Sequence, residues 1–427
     1  MSTFDKQKIN VLICTIGSNP LPIYVTVKYL LQENRNDLDM LPKPDQLLFV
    51  HTQDTKPVFK NLKEKIIGLE SGIIGNIDLG NGERNRDDVV GKLTNELHKL
   101  EESYDIASIN LFYTGGTKPM SVFSFLAVEE FVGEKNIQKI YSDLHPEHAV
   151  IAVGKNTFPL SDGKDLRDYI CITIKDLFEL HKMQISNQGK ETMTFDNVDI
   201  VQFAKRMINI VREDSYNSWR NSLGRMSREI NNKYGLNKKD IESMRTDYED
   251  VYREIKNFFP INWSVVSESN ASFKKVIEFL HGKWLEDYML YAIQQIKSDI
   301  CLSEVRQGIE AKYELRPCEL DIVAMKGYQM YLFSCTTSSE IKIVKGKAFE
   351  ALHRAEQLGG SHAKVVMVSM LSSKKKGNRG NENYNDNLMK DLASFNAQYE
   401  KTVSLIGYEE LENFELLTEK LKEIFCL

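Results

Sequence analysis

Thr15-Ile16-Gly17-Ser18-Asn19-Pro20 follows an apolar run, Asn10 to Cys14, and Thr114-Gly115-Gly116-Thr117-Lys118 follows another, Ser108 to Tyr113. Each loop leads into a stretch with helical character. An apolar β-branched run, a glycine-bearing loop and a helix, twice over, is the pattern of an α/β fold with a mostly parallel sheet. Runs of the same kind lie at Gln46 to Val50, Gln138 to Ser142 and His148 to Val153, while Val90, Leu93, Leu97 and Leu100 recur at helical steps as one face of a crossover helix. Both loops then fall at the carboxyl ends of parallel strands, where open α/β sheets bind ligands in a crevice. Glycine lets backbone N–H groups turn towards an anion, the next helix N-terminus adds a positive dipole end, and Thr and Lys add hydroxyl and ammonium donors. A phosphate or a nucleotide suits such a cradle. One loop alone reads as a turn that wants φ > 0; two facing one space favour the cradle. Neither loop matches GxxxxGK[ST] or GxGxxG, which argues against an ATPase P-loop and a dinucleotide fingerprint. His51-Thr52, after the second strand, is a further candidate for the rim.

Outward from these loops, 427 residues at ~150 per domain suggest two or three domains. A chain 42% hydrophobic and 27% charged folds rather than staying disordered. The net charge of −6 excludes a global basic surface that coats nucleic acid, so any polyanion is gripped locally. Six cysteines without a CxxC pair fit a reducing cytosol and neither a disulfide framework nor a zinc ribbon. The opening MSTFDKQKIN has no apolar signal core, and no apolar run approaches the ~20 residues of a membrane span. The expected location is cytoplasmic, with no membrane partner.

We divide the chain at 1–155, 156–272 and 273–427. Residues 177–259 are long, charged and helical in period, and read as a helical connector ending at Phe259-Pro260. Residues 273–370 read helix, strand, strand, strand, helix, strand: Phe273 to Lys297, Cys301 to Arg306, Glu319 to Met325, Met330 to Cys335, Lys345 to Leu358 and Ala363 to Met370. Glu286 lies on the first helix. Strand alternation points Glu319 and Asp321 to one face and Leu320 and Ile322 to the other. On the second helix Lys347, Glu350 and Arg354 stand at i, i+3 and i+7, on one face. Lys374-Lys375-Lys376-Gly377-Asn378-Arg379-Gly380 is a loop able to grip a nucleic-acid backbone, and the last forty residues read as a helical or mixed tail. His145-Pro146-Glu147-His148 has the look of a metal pair, but its proline disfavours a helix that would bring the two imidazoles together, so it reads as a turn.

The runs CTIGSNPLPI and FYTGGTKPM resemble those of the CRISPR-associated Rossmann-fold (CARF) sensor domain, over roughly residues 8–155. The resemblance implies a cyclic oligoadenylate partner, tetra- or hexa-adenylate, bound across a homodimer interface. It implies contacts from Thr15, Gly17, Ser18 and Asn19 in the first loop and from Thr114, Gly115, Gly116, Thr117 and Lys118 in the second. Residues 273–370 are similar in order to the core of PD-(D/E)xK nucleases. That core needs an acid on its first helix, an acid at the second strand, an acid plus a lysine on the third, and a divalent metal, because phosphodiester hydrolysis requires an activated water in line and neutralised phosphoryl charge. The resemblance implies Mg²⁺ or Mn²⁺ held by Glu286, Glu319 and Asp321, and catalysis by Glu286 and Asp321 with Lys345 or Lys347, on DNA and/or RNA.

The likeness departs at the third strand, where Ser334-Cys335-Thr336-Thr337 carries Thr336 in place of the lysine. Lys345-Gly346-Lys347-Ala348-Phe349-Glu350, followed by Arg354-Ala355 and Leu358-Gly359-Gly360, is similar to relatives in which the lysine has migrated to the helix. The expected fold class is α/β: a Rossmann-like parallel sheet, a helical connector and a restriction-endonuclease-like α/β core. The expected function is a cyclic-oligoadenylate-activated, metal-dependent endonuclease of type III CRISPR antiviral defence. Two alternatives stay open: a sensor with an inactive nuclease half, and a ring nuclease that degrades its own ligand through Ser18, Thr117 and Lys118.

Overall fold

The computed structural model describes residues 6–426 apart from 34, 36, 70–72, 144–149, 154–155, 160–165, 197, 213–215, 233–237, 250, 252–274, 314–315 and 373–383. The stretch His145 to His148, the basic loop at 374–380 and Phe259-Pro260 lie outside the described residues.

Strands β1 (Lys8–Thr15), β2 (Gln46–His51), β3 (Ile73–Asp78), β4 (Asp105–Phe112) and β5 (Gln138–Asp143) are parallel and lie side by side in the order β3-β2-β1-β4-β5. β6 (Val150–Val153) and β7 (Asn156–Pro159) continue the sheet antiparallel beyond β5. The inner strands are apolar along their length because both faces are covered. Ile9, Val11 and Ile13 pack with α3 (Arg86–Ser103) and α4 (Lys118–Val132), whereas Leu12 and Cys14 pack with α1 (Leu21–Leu30) and α2 (Lys56–Ile67). Strand order reverses between β1 and β4, and a crevice opens there at the carboxyl ends of the strands. The two glycine-bearing loops border it. The edge strand β3 is absent from the sequence reading because Gly75 and Asn76 interrupt its apolar pattern.

The second sheet has the order β13-β12-β11-β10-β9-β8, with β8 (Gln184–Asn187), β9 (Glu304–Tyr313), β10 (Arg316–Lys326), β11 (Gln329–Cys335), β12 (Lys364–Val368) and β13 (Val403–Ile406). β8 to β11 are antiparallel neighbours, and β11, β12 and β13 are parallel. β8 comes from the stretch read as a connector, which also supplies α5 (Ile174–Leu180), α6 (Ile200–Arg212), α7 (Tyr216–Asn232) and α8 (Lys238–Asp247), and β13 comes from the tail. Helix α9 (Trp284–Ile296) covers one face with α6. Helix α10 (Ile341–Gly359) covers the other and is the crossover from β11 to β12.

The two sheets share a core. Leu12 and Cys14 of β1, Tyr24 of α1, Leu177 and Phe178 of α5, Leu320, Val323 and Leu332 of the second sheet, and Ala348, Leu352 and Ala355 of α10 are buried in one cluster. At ~1.5–3 kcal/mol for each large apolar side chain taken from water, this seam ties α10 to both halves. The six cysteines are free thiols. Among the described residues no helix is long and apolar enough to cross a membrane.

Candidate functional site

At the crevice the two loops lock together. Thr15 Oγ1 donates to the Gly115 carbonyl at 2.6 Å. A Cβ on Gly115 would collide with the Thr15 carbonyl, one on Gly17 would stand 3.0 Å from the Gly116 nitrogen, and Gly116 has φ +74°. The glycines therefore serve the close approach of two backbones as well as a turn. Asn19 Oδ1 accepts from Leu21 N at 2.9 Å in the turn before α1, and Thr117 Oγ1 accepts from Met120 N at 3.4 Å, capping α4 at the crevice. Thr15 is fully buried and acts as a tie, while Ser18, Thr114, Thr117 and Lys118 are exposed.

Gly17, Ser18, Asn19, Thr114, Gly115 and Gly116 line a cleft of about 420 Å³. Its opposite wall is unforeseen from the sequence: Glu356 of α10, Gly360 just beyond it, and Asn396, Gln398, Tyr399 and Thr402. Gly360 has φ +64°, and a Cβ there would strike the Asn19 side-chain amide. His51 is not on this rim. It is the last residue of β2, fully buried, bonded to Asn76 and stacked on Phe59, because the strand runs one residue further than its apolar run.

The acids meet at the far end of α10. Pairing of β10 with β11 begins at Ile322↔Phe333, and before it Asp321 Oδ2 accepts from Cys335 N at 2.7 Å. Across β9 the ladder passes from Leu320↔Ile309 to Ile322↔Gln307, with Gly308 between them at φ +68°. The register is unchanged across this step, yet the expected alternation breaks: Leu320 joins the core under α10 and Ile322 the core under α9, so they do not share a face. Lys283, one turn before Glu286 at the end of a π-type turn, Phe279–Lys283, reaches Glu319 Oε1 at 2.7 Å and Glu286 Oε2 at 3.8 Å.

Electrostatics bind the group together. Burial, then the charge of Asp321, pushes the Glu286 carboxyl up to about 7. Burial also raises Asp321, against the Cys335 N–H and the Lys347 ammonium, which pull it down. Burial lowers Lys283, but Glu286, Glu319 and Asp321 outweigh it and hold the ammonium above its ordinary range. Burial, then Asp321 and Glu286, drive the Cys335 thiol well up.

Of the two lysines named from the sequence, Lys347 is half-buried and acts on Asp321, whereas Lys345 pairs with Asp391 at 2.8 Å and lies over the Phe395 ring. Thr336 donates its N–H to Val368 O and its Oγ1 accepts from Ser338 N, so it shapes the turn after β11. Lys283 is a residue that sequence reasoning missed, although its place three residues before Glu286 carries a signal. Asp287 was missed too: it is 1% exposed and accepts from Lys190 Nζ at 3.2 Å, Thr194 Oγ1 at 2.9 Å and Gln307 Nε2 at 2.8 Å.

Among the described residues no group of three or more His, Cys, Asp or Glu side chains is arranged to hold a metal ion. Glu319 is 53% exposed and committed to Lys283, so the three acids named from the sequence do not close on one point. Glu286 and Asp321 remain. An all-oxygen pair of half-buried carboxylates fits Mg²⁺ or Mn²⁺, which are held through one or two carboxylates plus substrate phosphates, and such a cation would relieve their mutual repulsion.

No protein-family model matches the sequence, and neither does any curated protein. Among solved structures the chain is similar to that of Can2 from Sulfobacillus thermosulfidooxidans in complex with cyclic tetra-adenylate, with TM-score 0.59 and 13% identity over 97% of this chain and 99% of that one. It is also similar to protein VC1899 from Vibrio cholerae, with TM-score 0.58 and 13% identity over 98% of each chain. At this identity the likeness is one of fold, and it spans both sheets.

Proposed function

We propose that this chain is a nuclease switched on by a cyclic oligoadenylate, with Mg²⁺ or Mn²⁺ as cofactor and DNA or RNA as substrate, of the kind that serves type III CRISPR defence. The observation that carries this reading is helix α10. Lys347 near its start faces Asp321, and Glu356 with the following Gly360 forms the wall of the cradle. Lys347 to Gly359 spans about 18 Å at about 1.5 Å rise per residue. One rigid element thus touches both sites and is packed against both sheets.

The chemistry asked of the acid site is hydrolysis. Water oxygen forms a bond to phosphorus, the P–O bond to the departing oxygen breaks, and the water's proton passes through solvent to the departing oxygen. A bound divalent cation supplies Lewis acidity and charge neutralisation. Glu286 and Asp321 hold their charge towards it, and Lys347 offers an ammonium to the charge that develops on the phosphate. Lys283 keeps Glu319 turned aside.

The cleft holds part of a cyclic tetra- or hexanucleotide, which leaves the remainder to a second copy of the chain. Beside it Tyr113, Val122 and Phe125 are exposed at 40%, 55% and 42%, an apolar surface on and next to α4 that supports a homodimer. The ligand acts only through unequal affinity for two arrangements of α10.

A second reading, a sensor with an inert nuclease half, is favoured by Thr336, which leaves β11 without a cation. The test is incubation with DNA and RNA, single- and double-stranded, with Mg²⁺ or Mn²⁺, with and without cyclic tetra- or hexa-adenylate. The proposal expects cleavage that rises with ligand. Ligand bound and no cleavage under either cation supports the inert sensor, and loss of the ligand itself in Thr117→Ala-sensitive fashion supports a ring nuclease.

A further inference from the structure

Gln307 of β9 stands where the acid site, the connector and the second sheet meet. It is 1% exposed. Its Nε2 donates to Asp287 Oδ1 at 2.8 Å and to Glu286 Oε2 at 3.2 Å. The Asp287 carboxylate, itself held by Lys190 and Thr194, fixes which end of the amide is nitrogen, since a flipped amide would set oxygen against oxygen. The other end, Oε1, is buried with no hydrogen-bond partner. Buried acceptors in native proteins are nearly always satisfied, and one left open beside paired acids marks a place where a donor or a cation belongs.

Resting on the nuclease reading above, we propose that Gln307 is the neutral third arm of the divalent-cation site: Nε2 holds Glu286 in place and Oε1 is an oxygen ligand for the cation. This accounts for three features together. Glu319 is drawn off by Lys283, so the acid pair lacks a third protein oxygen, and a neutral amide supplies one without adding to the repulsion between Glu286 and Asp321. Gln307, next to Gly308, pairs across the ladder with Ile322, which lies under α9, on the side where Glu286 and Asp287 are found. Asp287, held by Lys190 and Thr194, anchors the amide from behind.

The test is Mn²⁺ titration of the full chain by calorimetry, with thermal unfolding of each variant in EDTA and in Mn²⁺. Gln307→Leu is expected to weaken Mn²⁺ about tenfold or more and to lose most of the thermal stabilisation that Mn²⁺ gives. Gln307→Glu, which restores an oxygen at the same reach, is expected to retain Mn²⁺ binding. Ser303→Ala, which removes the 3.0 Å bond to Met325 O in the same sheet away from the amide, is expected to lower the EDTA midpoint while leaving Mn²⁺ affinity unchanged. Wild-type Mn²⁺ affinity in Gln307→Leu overturns the assignment, as does an effect confined to the EDTA midpoint. If the unaltered chain binds no Mn²⁺, the cation reading of Glu286 and Asp321 fails and this assignment falls with it, so the two failures are told apart by the unaltered protein.

Discussion

In the cradle two short loops present backbone N–H groups, helix starts and exposed hydroxyls towards a wall made by Glu356 and Gly360. At the acid site they are half-buried side chains from three elements, Glu286 on α9, Asp321 on β10 and Lys347 on α10, and each alters the charge of the next. The first kind of site tolerates change at most side chains but not at the glycines that let two backbones touch. The second depends on single charges, and the loss of one is felt by all. A helix whose two ends lie in these different settings is suited to carry a small shift at one into a change of charge geometry at the other.

The contrast is broken most severely by Asp321→Ala. It should reduce cleavage about 10³-fold while cyclic tetra-adenylate still binds with unaltered affinity by calorimetry; loss of both together would mean that the mutation unfolds the shared core. Next comes Lys347→Ala, expected to cost about 10²-fold in cleavage rate. Thr336→Lys in that background should restore part of it, because it returns an ammonium to the end of β11 beside Asp321. Equal rates for Lys347→Ala and the unaltered chain would remove the lysine from the site.

Gly360→Leu acts at the opposite end. It forces a side chain into Asn19 at a backbone conformation that costs about 1 kcal/mol or more for a non-glycine residue. It should leave Mn²⁺ affinity intact and abolish the stimulation by ligand, read as the ratio of cleavage rates with and without it. The smallest effect is on stability. Glu286 holds its proton up to about 7 in the folded chain against an ordinary value near 4.5. The folded state therefore binds more protons than the unfolded one across that window. Stability of the protein in EDTA should fall as pH rises from about 4.5 to 7, by on the order of 3 kcal/mol, and level off above. Glu286→Gln should flatten the fall; an unchanged slope in thermal or urea unfolding would place its origin elsewhere.

The same contrast explains what the sequence disclosed. Gly17, Gly115 and Gly116 follow apolar runs at once, so local pattern alone sets them at strand ends, and the parallel sheet brings them together. The wall made by Glu356 and Gly360 was hidden, because their neighbours in space are some 240 to 340 residues away in the chain. The order of elements from α9 to β12 was legible in its apolar periods. The break in alternation at Asp321 was not: it falls opposite Gly308 of another strand, at φ +68°, and alternation counts only along one. Lys345 and Lys347 are two residues apart on a helix, about 200° around the axis, so one facing Asp321 turns the other towards Asp391; spacing tells that they separate but not which one faces inward. Gln307, a single amide in Glu304–Tyr313, carries no pattern at all, and only its buried contacts mark it.

Calorimetric titration of Mn²⁺ into the full chain, with and without saturating cyclic tetra-adenylate, is the most direct measurement of whether cradle and acid site are joined through α10. The account predicts tighter Mn²⁺ binding when the cradle is filled, and ligand binding tightened by the same factor when Mn²⁺ is present, since coupling between two sites is reciprocal. Mn²⁺ and cyclic tetra-adenylate that each bind well, with affinities indifferent to one another, would contradict it.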